Sequence, residues 1–359
     1  MNNNEKTISL IPEPLKKGDK VAVICLSSGV IGEPYCAHEK ELGLRCLRRF
    51  GLEPVFTEHA LMGADYIMAH PEARAADLKA AFLDDSVKGI ITSIGGFETF
   101  RTFPYLMEDE EFINAVRQHP KFFLGFSDTT NNHFMLRRLG LQTFYGQAFM
   151  CDLAELSGDM LPYSKAQFES CFAPYQGRKI TSSDVWYEER TDFSAAAVGT
   201  MPVSHREERG FELLQGSAVF EGELLAGEFE KCPQLDADLG MQSELTRRYS
   251  IFPTADEWRG KILFAETSEV TPPPEMLREY LAALEREGVF EGLNGIIVGK
   301  PLNERYYDEY KAVWCDAVGN RSIPIVYNVN FGHAAPRAIL PYGAVARVDA
   351  DMQEMTLLR

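Results

Sequence analysis

The chain has 359 residues, of which 45% are hydrophobic, and carries a formal net charge of −17 at pH 7. This length and composition allow a buried core and leave room for two domains, so a wholly disordered chain is excluded. The negative charge repels phosphate backbones and anionic lipid surfaces, which makes nucleic acids and membranes poor candidate partners.

The sequence shows no targeting segment, metal-binding motif or disulfide framework. The N-terminal stretch lacks a basic region followed by an apolar one, and no later segment approaches the ~20 apolar residues of a membrane span. We therefore expect a cytoplasmic protein with reduced thiols, no metal ion and no cofactor. The seven cysteines are scattered, without a CxxC pair, at Cys25, Cys36, Cys46, Cys151, Cys171, Cys232 and Cys315.

The N-terminal half alternates short apolar runs with amphipathic segments, as a parallel sheet with crossover helices does. Periodic apolar residues followed by Gly51 predict a helix over residues 39–50, and similar periodicity predicts a helix over residues 72–83. The predicted α/β domain occupies residues 1–165, with strands over residues 21–25, 54–57, 89–94, 122–126 and 143–145.

The pattern weakens after the first domain and then resumes. Residues 166–210 are predicted to form a linker that can carry a substrate-binding loop. The linker begins with a helix predicted over residues 165–172 and continues as a polar stretch. Residues 211–359 are predicted to form a smaller mixed α/β domain. Its expected helix covers residues 274–287, and its expected strands cover residues 218–220, 261–265, 295–298, 323–327, 344–348 and 354–358.

A serine lies at the junction between a predicted strand and a predicted helix. Ser127 follows the apolar residues 122–126, and Gly125 gives the backbone room before the turn. A serine on a tight strand-to-helix turn projects from the end of the sheet, where the next backbone N–H groups can stabilise an oxyanion. Asp128 and Thr129 are predicted to cap the helix. Ser127 is thus a candidate nucleophile, although serines before helices commonly serve only as N-caps.

Two consecutive glycines end another predicted strand. Gly95 and Gly96 follow the apolar run of residues 89–94. Glycines at the carboxyl end of a parallel strand let a substrate approach the backbone, and ligands of open α/β sheets bind at that edge. Gly95 is therefore a candidate substrate contact, although a glycine pair is also compatible with a simple turn.

A candidate base and a candidate carboxylate lie in the second domain. His333 is on an irregular loop beyond the strand predicted over 323–327, and Glu266 continues directly from an apolar strand. A serine nucleophile needs a base, and the base needs a group that orients it. For His333 the alternative is a loop histidine that only bonds to the backbone, and for Glu266 the alternative is the solvent-exposed end of a strand. We expect the other six histidines to be ordinary surface or capping residues: His38, His59, His70, His119, His133 and His205.

Four segments together resemble the LD-carboxypeptidase family of serine peptidases, and the resemblance spans nearly the whole chain. It implies a catalytic triad of Ser127, Glu266 and His333, with an oxyanion hole formed by the backbone N–H groups of Gly96 and Asp128. The segments are SIGG, GFSDTT, ILFAETSE and NFGHAAPRAILPYG, in that order.

The resemblance also implies a fold and an assembly. The N-terminal domain of the family resembles class I glutamine amidotransferases, the smaller C-terminal domain supplies the glutamate and the histidine, and members commonly form homodimers without a metal. ETSE and LPYG are most similar to the branch that contains the microcin C immunity protein. In that branch an aromatic loop, here around Trp186, lies against a nucleotide base, although Trp186 is equally compatible with a hydrophobic plug. Glu228 departs from the family pattern, in which a small residue or asparagine is common.

These features predict a serine carboxypeptidase or amidohydrolase that cleaves a peptidyl- or aminoacyl-nucleotide substrate through an acyl-enzyme. One alternative substrate is a cell-wall tetrapeptide, from which the enzyme would remove the terminal D-alanine. A non-catalytic binding module on the same scaffold is the alternative from another class, since a fold does not fix a function.

Overall fold

The computed structural model describes residues 10–228 and 240–358, so Cys232 lies outside the described residues. The strands in these ranges are β1 (Lys20–Ile24), β2 (Glu53–Phe56), β3 (Val87–Thr92), β4 (Phe122–Gly125), β5 (Thr143–Tyr145), β6 (Lys179–Thr181), β7 (Val185–Tyr187), β8 (Ser204–Arg206), β9 (Glu212–Gln215), β10 (Val219–Glu228), β11 (Lys261–Glu266), β12 (Gly295–Gly299), β13 (Ile325–Val329), β14 (Leu340–Tyr342), β15 (Val345–Asp349) and β16 (Glu354–Leu357). The helices are α1 (Ala37–Arg49), α2 (Ala64–Ala69), α3 (Pro71–Leu83), α4 (Phe103–Met107), α5 (Glu110–Gln118), α6 (Thr130–Arg138), α7 (Pro162–Glu169), α8 (Gly240–Arg248), α9 (Pro274–Arg286) and α10 (Tyr307–Val318).

Local sequence accounts for several helix ends. Pro71, Pro162 and Pro274 each occupy the first turn of a helix. A backbone N–H at that position would have no acceptor within the helix, so proline costs no hydrogen bond there. Gly51 and Gly288 follow the C-terminal ends of α1 and α9 with positive φ angles, a conformation that glycine adopts without strain.

The first sheet has six strands in the order β14-β5-β4-β3-β1-β2. The five strands from the N-terminal half run parallel to their neighbours, as predicted. The sixth, β14, comes from near the C-terminus and pairs antiparallel with β5. The N-terminal sheet is therefore completed by a strand that the sequence pattern did not reveal.

The second sheet has eight strands in the order β6-β16-β15-β10-β11-β12-β13-β9. Its centre, β10 to β13, is parallel, and its outer strands are antiparallel. The predicted second domain is the shorter of the two in sequence, but its sheet is the larger, because the predicted linker contributes β6 and because β9 joins the far edge. β10 is also much longer than the strand predicted over residues 218–220.

One hydrophobic core continues through both sheets. The β12 and β13 strands are buried along their whole length, which is the pattern of parallel strands covered on both faces. Among the described helices, none has the length and apolar character needed to cross a membrane.

Candidate active site

Ser127 occupies a strained turn at the carboxyl end of β4. Its φ angle is +63°, which is uncommon for a residue with a side chain, and it begins a short 3-10 helix that leads into α6. A Cβ atom on Gly125 would lie 2.5 Å from the Thr92 hydroxyl oxygen, so only glycine allows β4 to pack this closely before the turn. Ser127 thus has the position predicted for a nucleophile.

The capping prediction for Asp128 and Thr129 was wrong, because both residues lie within the 3-10 helix that precedes α6 and the Thr129 hydroxyl donates to the backbone oxygen of Phe126. No side chain caps α6. The Asp128 carboxylate instead accepts hydrogen bonds from the Ser27 hydroxyl and from the Thr99 N–H, the latter at 2.9 Å. Asp128 therefore anchors the turn to the loops that follow β1 and β3.

The first of the paired glycines, Gly95, lies directly against Ser127. A Cβ atom on Gly95 would lie 2.5 Å from the Ser127 hydroxyl oxygen, and Gly96 has a φ angle of +151°. Within residues 10–228 and 240–358, neither the Gly96 N–H nor the Asp128 N–H donates a hydrogen bond. Two backbone donors are therefore available beside the serine.

His333 and Glu266 form a buried pair. The Glu266 Oε2 atom accepts from the His333 Nδ1 at 2.8 Å and from the His333 backbone N–H at 3.1 Å. A Cβ atom on Gly332 would lie 2.5 Å from the Glu266 carboxyl group, so the loop needs glycine to approach this closely. The pair has the geometry in which a carboxylate fixes the orientation of a catalytic imidazole.

Tyr145 connects the two halves of the site. Its hydroxyl donates to the Glu266 Oε1 atom at 2.7 Å and lies 3.4 Å from the Ser127 N–H, which donates to it. Burial, followed by the charge of Glu266, raises the pKa of Tyr145 well above its ordinary value. A single neutral phenol therefore links the serine turn of the first sheet to the carboxylate of the second.

The other nitrogen of His333 has a different partner from the one expected in a resting triad. The Nε2 atom lies 3.2 Å from the Glu269 Oε2 atom. In the described part of the chain, no hydrogen bond joins it to Ser127. Burial lowers the pKa of His333, but the charge of Glu266 and the hydrogen bonds that the imidazole donates to both glutamates outweigh burial and raise this pKa well above its ordinary value.

Arg337 holds the His333 loop in place. Its guanidinium donates to the His333 backbone oxygen at 2.6 Å and pairs with Asp152 at 3.1 Å. It also lies 5.0 Å from the centroid of the Phe126 ring, which in turn contacts the His333 ring edge-to-face at 5.0 Å. The loop is thus attached to the segment that precedes Ser127.

Trp186 lies on β7, which forms a two-stranded hairpin with β8. Its half-buried indole is stacked on the His205 ring, with centroids 4.3 Å apart, and the Lys300 ammonium lies 4.9 Å from the indole. The next residue, Tyr187, donates its backbone N–H to the oxygen of Ala335 at 3.0 Å. The hairpin therefore runs beside the His333 loop, and Trp186 is outside the hydrophobic core.

Glu228 is buried at the end of β10, where its backbone N–H donates to the Thr130 hydroxyl at 3.1 Å. Glu228, the residue that departs from the family pattern, therefore contacts the first turn of α6, which follows the Ser127 turn.

One histidine prediction was wrong. His133 is fully buried between two sheet strands, bonded to Thr143 at 2.7 Å and to the oxygen of Gly125 at 3.0 Å, and burial lowers its pKa to about 3. It is therefore a neutral core residue. The amphipathic pattern of α6 did not reveal this because the helix is buried on nearly all sides.

Sequence reasoning did not single out Tyr145, Glu269 or Arg337. Tyr145 ends a predicted strand of the first sheet, and Glu269 lies in the ETSE segment, so both had positional signals. Across the ranges that the structure describes, no group of three or more His, Cys, Asp or Glu side chains is arranged to hold a metal ion.

Comparison with known proteins establishes the family. The sequence profile of the LD-carboxypeptidase N-terminal domain matches residues 21–146, and that of the LD-carboxypeptidase C-terminal domain matches residues 222–348. The chain belongs to the LD-carboxypeptidase family. The two profiles separately cover the parts of the chain that carry Ser127 and the Glu266–His333 pair.

Two curated relatives span almost the whole chain. A Streptomyces coelicolor protein, provisionally named a carboxypeptidase, is 30% identical over 355 residues, which are 97% of this chain and 96% of the relative. A Bacillus subtilis protein with the provisional name murein peptide carboxypeptidase is 27% identical over 344 residues, 94% of this chain and 91% of the relative.

Solved structures show the same two-domain mixed α/β fold. An MccF-like protein from Streptococcus pneumoniae, solved in complex with AMP, is 46% identical with a TM-score of 0.91, covering 95% of this chain and 98% of that one. The microcin C7 self-immunity protein MccF, solved with aspartyl sulfamoyl adenosine, is 20% identical with a TM-score of 0.77 and 98% coverage of both chains. The second likeness supports the fold alone.

Proposed function

We propose that this member of the LD-carboxypeptidase family is a serine amidohydrolase that cleaves aminoacyl- or peptidyl-nucleotide substrates through an acyl-enzyme. Ser127 attacks the carbonyl carbon, and His333 takes the serine proton and returns it to the leaving group. Glu266 orients the imidazole, and the N–H groups of Gly96 and Asp128 stabilise the oxyanion.

The observation that carries this proposal is the Glu266–His333 pair, which Tyr145 joins to the strained turn of Ser127. An oriented imidazole beside a serine with two available backbone donors has the components that acyl transfer requires. A catalytic hydrogen bond that is missing without substrate does not argue against the assignment, because such bonds often form only in the substrate complex. A non-catalytic binding module would not require all three groups to be chemically competent.

The nucleotide part of the proposal is supported by two observations. The Streptococcus pneumoniae relative, at 46% identity, was solved with AMP. In this chain Trp186 presents a half-buried indole beside the His333 loop, already stacked with His205. A flat aromatic pair of this kind can offer a stacking surface to an adenine base.

A muropeptide LD-carboxypeptidase that removes a terminal D-alanine is the second candidate, supported by the name of the Bacillus subtilis relative. The surroundings of His333 favour it less. Glu266 and Glu269 both lie against the imidazole, and the nearby cation, Arg337, is already paired with Asp152. A free substrate carboxylate near the reacting carbonyl would face two negative charges without a free positive one.

The test is to incubate the protein separately with an aminoacyl-sulfamoyl adenosine and a muropeptide tetrapeptide and to identify the products by mass spectrometry. We expect release of sulfamoyl adenosine by the wild-type protein and not by Ser127→Ala. Release of D-alanine alone would assign the second candidate. Failure of the wild-type protein to react with a fluorophosphonate would contradict any serine-hydrolase function.

A further inference from the structure

Glu269 occupies the side of His333 that catalysis needs. Its Oε2 atom lies 3.2 Å from Nε2, while Glu266 holds Nδ1 at 2.8 Å. The imidazole is therefore bonded to a carboxylate at each nitrogen. Because a carboxylate only accepts hydrogen bonds, this arrangement requires a proton on both nitrogens.

An imidazole in that state cannot act as a general base. To take the Ser127 proton, Nε2 must be unprotonated and must face the serine hydroxyl. The Glu269 side chain is 49% exposed, whereas that of Glu266 is 1% exposed. Glu266 is therefore enclosed by the protein, whereas Glu269 lies at the solvent boundary of the site, where a substrate group can reach it.

We propose that Glu269 is a positioning residue that holds His333 in a resting state and releases it when it pairs with the free α-ammonium group of an aminoacyl substrate. This inference rests on the proposed function and narrows its substrate class. In an aminoacyl group the α-nitrogen is bonded to the α-carbon, so it lies two bonds from the carbonyl carbon that Ser127 attacks. It must therefore bind close to Nε2, where the Glu269 carboxylate lies.

The charges around the site favour an ammonium over a neutral or anionic group. Glu189, beyond β7, is close enough to Glu269 that their repulsion, after burial, raises the pKa of Glu189. A peptidyl substrate, whose α-nitrogen is an uncharged amide, offers no charge to this pair. The ionisable groups that face His333 are Glu266, Glu269, Glu228, Glu189, Tyr145 and Arg337.

Release of His333 removes one proton from the imidazole. When Glu269 pairs with the substrate ammonium, the imidazolium loses one of its two carboxylate partners and releases the Nε2 proton to solvent. Nε2 can then accept a hydrogen bond from Ser127, while Nδ1 keeps its proton and its bond to Glu266.

The test uses Glu269→Gln with two matched compounds, phenylalanyl-sulfamoyl adenosine and its analogue with hydrogen in place of the α-amine, 3-phenylpropionyl-sulfamoyl adenosine. Wild-type kcat/KM should favour the amine, and the variant should lose at least about fivefold of this preference, because a charge pair formed on binding is gone. For the analogue, the acid limb of the pH profile should move to lower pH in the variant. On that limb kcat/KM changes about tenfold for each pH unit.

Fluorophosphonate labelling provides a readout that needs no substrate. Below the midpoint of the wild-type acid limb, Glu269→Gln should be labelled faster than the wild-type protein. Glu72→Gln is the matched control: Glu72 is also half-exposed and bonds a histidine, His70, at 2.6 Å, but it lies on α3. It should change neither the pH profile nor the preference between the compounds.

The proposal is overturned if Glu269→Gln leaves the acid limb in place or lowers kcat/KM equally for both compounds. It is also overturned if the wild-type protein prefers the analogue. Hydrolysis of neither compound by the wild-type protein, or of either compound by Ser127→Ala, would instead contradict the proposed function, so the two failures are distinguishable.

Discussion

Substituting Gly95 by alanine should inactivate the enzyme by displacing its nucleophile. The added Cβ would lie 2.5 Å from the Ser127 hydroxyl oxygen and 2.6 Å from its Cβ. Carbon contacts are comfortable at roughly 3.5 Å, so about 1 Å of overlap must be relieved by moving the serine or the glycine turn. A displacement of that size in a catalytic group costs about 100-fold in rate, and the overpacking costs about 1 to 3 kcal/mol of stability.

The assay is the rate of fluorophosphonate labelling of Gly95→Ala, measured together with a thermal melt. Gly89→Ala is the control, because a Cβ there contacts core side chains and not the serine: Leu15 at 3.0 Å and Val21 at 3.1 Å. It should be labelled at close to the wild-type rate. If Gly95→Ala is labelled within about threefold of the wild-type rate, the close contact between Gly95 and Ser127 does not set the position of the nucleophile.

Three further predictions concern the site. Ser127→Ala and His333→Ala should each lower kcat by several orders of magnitude, about the 10⁶ seen when a triad member is removed, with folding retained; a variant that keeps a tenth of the activity would exclude its residue from the mechanism. Glu266→Gln should cost on the order of 10² to 10⁴ in kcat. Because the charge of Glu266 raises the pKa of His333, this variant should also move the acid limb of the kcat/KM profile to lower pH, and a limb that stays in place would contradict the reasoning. Trp186→Ala should lower kcat/KM for nucleotide-linked substrates by roughly 5- to 150-fold and leave plain peptides unaffected, whereas equal losses with a lowered melting temperature would contradict base stacking.

The parallel part of the fold could be predicted because its strands are continuous apolar runs separated by periodic helices. The five parallel strands of the first sheet and α1 and α3 lie within a few residues of their predicted positions. The antiparallel additions could not be predicted in the same way. β14 and β6 are only three residues long, and nothing in so short a segment indicates which sheet edge it will join.

The candidate site likewise contains residues that the sequence predicted and residues that it did not. Ser127, Glu266 and His333 were identified from the order of family-like motifs, and the structure brings Glu266 and His333 into direct contact. Tyr145 and Glu269 were not identified, because their importance depends on which oxygen or nitrogen they reach after folding. A tyrosine at the end of a core strand and a glutamate on a loop have no sequence pattern that distinguishes a site contact from an ordinary one.

Because β14 closes the edge of the first sheet beside β5, the two halves of the chain cannot mature independently during synthesis. β5 is made early, but its antiparallel partner β14 is made only after the central strands β10 to β13 of the second sheet. Until then the edge of β5 presents unpaired N–H and C=O groups, which other nascent or misfolded chains can pair with. The edge of β5 therefore stays open until β14 has been made, and by then the loop carrying His333 has been made as well.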